Sequence, residues 1–77
     1  MNTTPLSNET NRDRFKRLAS QRTNSILQRL KVLGNCSNRQ IYEYNEEDIA
    51  KIFSEIERRV RETKAKFYFP KEKRFKL

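Results

Sequence analysis

Basic residues are the side chains of this sequence whose types and spacing suggest chemistry. Four of them occupy the six positions from 12 to 17, and others follow Pro70 beside Phe75. Clustered Arg and Lys attract polyanions, and neighbouring aromatic rings suit stacking on unpaired bases. The predicted nucleic-acid contacts are Arg12, Arg14, Lys16, Arg17, Arg58, Arg59, Arg61, Lys64, Lys66, Lys71, Lys73, Arg74 and Phe75.

Residues suited to catalysis are scarce. The sequence has no His, so it lacks the usual general base, and Cys36 has no imidazole partner that could activate its thiol. A single Gly excludes a glycine-rich phosphate loop, and one Cys without His cannot build a structural zinc site. The sequence therefore predicts a binding protein that is not an enzyme, with no metal, no cofactor and no small-molecule substrate.

Length and composition restrict the class of protein further. The 77 residues contain 18 Lys and Arg against 10 Asp and Glu, which leaves a net charge of +8 and room for one small domain. No apolar run is long enough to span a membrane, and the first ten residues lack the pattern of a secretory signal. The lone Cys36 excludes an internal disulfide and suits a reducing compartment, so a cytoplasmic location is predicted.

Two segments have the apolar periodicity of helices. The first is predicted at about 11–33, with Thr10 as N-cap and Gly34 as a left-handed closing residue, after a disordered N-terminus over 1–10. Its apolar positions are Phe15, Leu18, Ala19, Ile26, Leu27, Leu30 and Leu33. The second is predicted at about 46–67, and Pro70 prevents its continuation.

The second helix has a clear start and one apolar face. Asn45 is a favourable N-cap, and the acids Glu46, Glu47 and Asp48 complement the helix dipole in the first turn. The same capping role explains these acids better than a metal site does. Its apolar positions are Ile49, Ile52, Phe53, Ile56, Val60 and Phe67.

The short connection predicts an all-α antiparallel hairpin over 11–67, followed by a basic aromatic tail over 68–77. Pairing Leu33 with Ile49 brings apolar positions opposite each other along both helices. Two helices bury little surface, so additional burial is expected from the folded-back tail, from a second copy in a four-helix bundle, or from a larger partner.

The order of charges predicts a basic pole. An antiparallel arrangement would place the late bases of the second helix and the tail beside residues 12–17. Bases late in a helix complement its dipole, but the cluster over 12–17 lies at the end where the dipole opposes positive charge. A negative partner is therefore expected there.

Three kinds of partner fit this pole. A nucleic-acid backbone is favoured, with RNA slightly ahead of DNA. No zinc finger, helix-turn-helix or RNA-binding strand motif is present, so recognition of shape or backbone is predicted in place of sequence-specific reading. The alternative is an adaptor or inhibitor that docks on an acidic protein surface or on a second copy, with Tyr42 and Tyr44 as protein contacts. Membrane binding ranks last, because both apolar faces are needed to cover each other and Trp is absent.

One stretch carries a family resemblance. The run Leu33-Gly34-Asn35-Cys36-Ser37-Asn38-Arg39, followed by Tyr42-Glu43-Tyr44 and an acidic helix start, resembles small uncharacterised two-helix proteins of bacteria and mobile elements. The resemblance covers about residues 12–67 and implies no particular activity.

Overall fold

The regular structure of the described residues is entirely helical. The computed structural model describes residues 8–70 and 77, and within them it contains helix α1 (Asn11–Gly34), a 3₁₀ turn (Asn35–Ser37) and helix α2 (Glu46–Lys64). The chain divides into two units, Met1–Tyr42 and Glu43–Leu77. The predicted all-α class is confirmed. The predictions of disorder over residues 1–7 and of contacts from Lys71, Lys73, Arg74 and Phe75 lie outside the described residues.

Helix α1 begins as the sequence predicts. The Thr10 hydroxyl accepts a hydrogen bond from the Asp13 amide at 3.0 Å, and the Asp13 carboxylate accepts one from the Thr10 amide at 3.4 Å. This reciprocal capping box supplies partners for two amides at the helix start, which lack carbonyl partners inside the helix. The preceding Asn8 has φ 68°, a left-handed conformation that Asn tolerates better than most residues.

The predicted role of Gly34 is wrong. Gly34 has φ −58° and ψ −25°, so it is right-handed, and the chain continues directly into the 3₁₀ turn. This tighter turn supplies hydrogen bonds at the helix end without a left-handed residue. A Cβ at position 34 would meet no atom within 4 Å. Neither conformation nor space therefore requires glycine at this position.

Helix α2 begins at a second capping box. The Asn45 side chain accepts a hydrogen bond from the Asp48 amide at 2.8 Å, and the Asp48 carboxylate accepts one from the Asn45 amide at 3.1 Å. Glu46 and Glu47 accompany Asp48 in the first turn, which confirms the predicted dipole complementarity.

Helix α2 ends at Lys64, three residues before the predicted end at about Phe67. The amides of Lys66 and Phe67 instead donate to the carbonyls of Thr63 and Lys64, in a tightened last turn. The residues after this turn are aromatic and precede Pro70, which disfavours helical conformation. As a result, Phe67, Tyr68 and Phe69 lie outside the helix with exposed fractions of 64%, 77% and 89%.

Each helix carries an exposed apolar stripe. The most exposed stripe positions are Ile26 in α1, with an exposed fraction of 59%, and Val60 in α2, with 57%. The partly buried stripe positions are Leu18, Ala19, Leu33 and Ile56. Within the described residues, no side chain of either helix is fully buried. Neither helix combines the length and the apolar character that crossing a bilayer requires.

Candidate nucleic-acid interface

The N-terminal basic cluster, here Arg12, Arg14, Lys16 and Arg17, lies in the first two turns of α1. Its four members have different surroundings. The Arg12 guanidinium lies over the ring of Phe15, 5.8 Å from the centroid, at a distance where cation–π attraction acts. Lys16 is exposed and forms no ion pair with another described residue. The other two arginines share an acid.

That acid is Glu9, which lies just before the N-cap of α1. One of its carboxylate oxygens accepts from Nε of Arg17 and the other from Nη2, each at 2.9 Å. The Nε of Arg14 lies 3.6 Å from the Glu9 Oε1 atom. The Glu9 side chain is only 5% exposed. The expected negative partner of Arg14 and Arg17 is therefore present within the chain itself.

The pairing changes the protonation equilibria of both residues. The hydrogen bonds from Arg17 lower the pKa of Glu9; the charges of Arg17 and Arg14 add to this effect, while desolvation opposes it. The same hydrogen bonds raise the pKa of Arg17. Glu9 is consequently ionised at neutral pH and neutralises part of the N-terminal basic cluster.

Among the predicted contacts in α2, the first two, Arg58 and Arg59, are also paired with acids. Arg58 donates to Glu55 and to Glu62 at 2.6 Å each, and Arg59 donates from Nε to Glu55 at 3.0 Å. These pairs follow the i,i+3 and i,i+4 spacing of helix neighbours. At about 100° per residue, Glu55, Arg58 and Glu62 lie on the side of α2 away from the apolar stripe, whereas Arg59 lies at the edge of the stripe. Arg58 and Arg59 therefore belong to a solvated ion-pair network.

The pairing in α2 predicts a specific response to pH. Hydrogen bonds from Arg58 and then Arg59 lower the pKa of Glu55 below its ordinary value of 4.5. Because this pKa is lowered in the folded helix, the network stabilises α2 fully above pH 4.5 and loses that contribution as the pH falls through the lowered pKa.

We therefore expect the Cα chemical shifts around Glu55 to move towards random-coil values on acidification below pH 4.5, as followed by NMR. The matched variant Glu55→Gln lacks the titrating group. It should show a smaller acid-induced change over residues 55–62, because Glu55 no longer titrates in this variant. An identical acid response of residues 55–62 in both proteins would contradict the network's contribution.

The late bases of α2 are different. Arg61 and Lys64 lie in the last turn, and Lys66 lies in the turn that follows. All three are exposed, and none forms an ion pair with a described residue. We call these three residues the C-terminal basic cluster. Bases here complement the helix dipole, so the helix tolerates them without an acidic partner.

The predicted protein contacts differ in exposure. Tyr42 has an exposed fraction of 48%, whereas Tyr44 is partly buried. Asn38 organises the loop before them: its side chain accepts from the Gln40 amide, and its carbonyl accepts from the amides of Ile41 and Tyr42. Tyr42 can offer an aromatic surface to a partner.

Sequence reasoning missed two features of the interface. The Glu55 network was visible in the i,i+3 and i,i+4 spacing of acids and bases. Glu9 gave a weaker signal, as the only acid of the first ten residues.

Three further basic residues of α1 are exposed without an ion pair to a described residue, and they continue its positive charge beyond the N-terminal basic cluster: Arg22, Arg29 and Lys31.

No protein-family model, curated protein or solved structure matches this chain. Within the part of the chain that the structure describes, no three His, Cys, Asp or Glu side chains gather as ligands of a metal ion would.

Proposed function

We propose that this protein binds nucleic acid, RNA in preference to DNA, through its phosphate backbone. The observation that carries the proposal is the distribution of basic side chains that form no ion pair with a described acid. Arg61, Lys64 and Lys66 follow directly after the internally neutralised Arg58 and Arg59. Arg12 and Lys16 similarly remain unpaired among the described residues of α1. Exposed bases without acidic partners are free to replace counterions on phosphates.

The preference for RNA rests on the aromatic residues beside the C-terminal basic cluster. Phe67, Tyr68 and Phe69 follow Lys66 directly and are mostly exposed. Exposed rings next to basic side chains allow unpaired nucleobases to stack on the rings while the phosphates contact the basic side chains. Single-stranded loops, bulges and ends of RNA present unstacked bases that are accessible for such stacking.

We further propose that the two helices pair as an antiparallel hairpin and that two copies form a four-helix bundle. Support comes from the exposed apolar stripe of each helix and from the compatible register of their apolar positions. In this arrangement the two basic clusters lie at one end. The apolar area that a single hairpin would bury is small for a stable domain, which favours a second copy as the additional partner.

The function can be tested by fluorescence anisotropy with the full chain and three probes, each of 20 nucleotides: single-stranded RNA, single-stranded DNA and duplex DNA. We expect the tightest binding to the single-stranded RNA. If five bases replace counterions, the logarithm of the association constant should fall with the logarithm of salt concentration with a slope of roughly −3.5.

A salt-independent interaction would contradict a phosphate-binding surface. Affinity capture from a lysate with and without nuclease separates the alternative. A stoichiometric protein partner that survives nuclease, and that is lost in Tyr42→Ala, would instead support the adaptor or inhibitor function.

A further inference from the structure

The contact between Glu9 and the two arginines of α1 resembles an occupied anion site. Arg17 presents its Nε and Nη2 atoms as a fork, and the fork holds both carboxylate oxygens at 2.9 Å. This planar, two-pronged geometry is the one by which Arg recognises carboxylates and phosphates alike. The carboxylate is held at the side of the helix by residues of the N-terminal basic cluster.

The carboxylate fills this site incompletely. The Nε atom of Arg14 is buried and has no hydrogen-bond partner among the described residues. It points to the same acid, but its distance of 3.6 Å from Glu9 Oε1 is too long for a hydrogen bond. A buried donor without a partner is costly and calls for an explanation. The Glu9 oxygens still have free lone pairs while Arg17 is bound, so it is the position of the planar carboxylate, and not its acceptor capacity, that leaves the third donor unused.

A phosphate group matches these three donors better than a carboxylate does. Its phosphorus–oxygen bonds are longer than carbon–oxygen bonds, and its oxygens are arranged tetrahedrally rather than in one plane. It can therefore accept from the Arg17 fork and offer another oxygen to Arg14. Both an internal phosphodiester and a terminal phosphate monoester provide this chemistry.

We propose that Nε and Nη2 of Arg17, together with Nε of Arg14, form one phosphate-binding site whose resting occupant is the Glu9 carboxylate. From here on, the fork denotes this site of two arginines. The proposal rests on the proposed function and deepens it. Glu9 acts as an internal competitor: it must leave the fork before a phosphate group enters. This competition favours ligands of high local phosphate density over isolated anions, since only a strong polyanion displaces an acid that is tethered beside the site.

The test compares Glu9→Ala with Glu57→Ala. Both variants remove one negative charge, but Glu57 is exposed on α2 and forms no ion pair with a described residue. For a single-stranded 20-nucleotide RNA at 0.1 M salt, we expect Glu9→Ala to bind roughly 5-fold more tightly than Glu57→Ala. Its salt slope should be steeper by about 0.7, as expected for one additional phosphate contact. Equal affinities and slopes would overturn the proposal.

Two controls attribute the gain to the fork. In the Arg14→Gln/Arg17→Gln background, Glu9→Ala should bind no more tightly than Glu57→Ala does. Glu9→Gln keeps the size of the side chain while removing its charge. It should retain the helix content of the wild-type protein by circular dichroism and show the same direction of effect. A gain that persists without Arg14 and Arg17 would overturn the fork.

The source of the phosphate is distinguished by the probe. An RNA with a 5′-hydroxyl offers only diesters, and the same RNA with a 5′-phosphate adds a monoester. An equal gain for both probes assigns the fork to internal phosphates, whereas a gain confined to the phosphorylated probe assigns it to the terminal group. Either result supports the proposal.

A second readout separates the failure of this inference from the failure of the proposed function. If no variant binds RNA, the proposed function is lost, and the fork is tested with inorganic tripolyphosphate alone. In Glu9→Ala, the Nε–H NMR signals of Arg14 and Arg17 should shift at ligand concentrations that leave the wild-type signals in place. The absence of any shift in Glu9→Ala would overturn the fork as well.

Discussion

Exchanging Arg61 and Lys64 together for Gln is expected to weaken binding to a single-stranded 20-nucleotide RNA by roughly 25-fold at 0.1 M salt. The reason is the loss of two bases that no described acid neutralises. Each lost phosphate contact should also reduce the magnitude of the salt slope by about 0.7, so the slope should become shallower by about 1.4. Fluorescence anisotropy across a series of salt concentrations measures both quantities.

The same helix provides a matched control. Arg58→Gln/Arg59→Gln removes the same amount of positive charge one to two turns earlier, but these arginines are already held by Glu55 and Glu62. We expect a smaller loss of affinity and a nearly unchanged salt slope. If the two double variants lose affinity equally, net charge alone governs binding and the C-terminal basic cluster has no special role.

Ile56→Asp is expected to abolish cooperative unfolding and self-association. Ile56 is the least exposed residue of α2 and lies in the middle of its apolar stripe. In the proposed hairpin and four-helix bundle, the exchange removes a packed side chain and introduces a charge among apolar neighbours, at a combined cost of about 3 kcal/mol or more. A domain of this size has little stability to spare.

Ser54→Asp is the matched control for this variant. Ser54 is exposed on the side of α2 away from the apolar stripe, so it receives the same charge without a change in packing. Urea denaturation followed by circular dichroism should show a sigmoidal transition for Ser54→Asp and a gradual loss of signal for Ile56→Asp. Sedimentation equilibrium should show a dimer only for Ser54→Asp. Identical behaviour of the two variants would contradict burial of the α2 stripe.

The helix starts were predictable because capping is a local interaction. Thr10 with Asp13 and Asn45 with Asp48 are each three residues apart, and their side chains reach only the first amides of the helix that follows. The helix ends were less predictable. Competing ways to satisfy the last carbonyls exist at Gly34 and after Lys64, and the tighter turns found there need no left-handed residue.

The sequence by itself determined the two helices, their caps, their apolar stripes and the excess of basic residues. All of these depend on residues within about one helical turn of each other, or on composition. The tertiary structure alone decided that Arg14 and Arg17 are already engaged by an acid, Glu9. Glu9 reaches Arg17 across eight positions, because the segment before the N-cap places its carboxylate along the side of α1. Such a contact depends on the path of the backbone in space, and residue spacing along the chain does not encode that path.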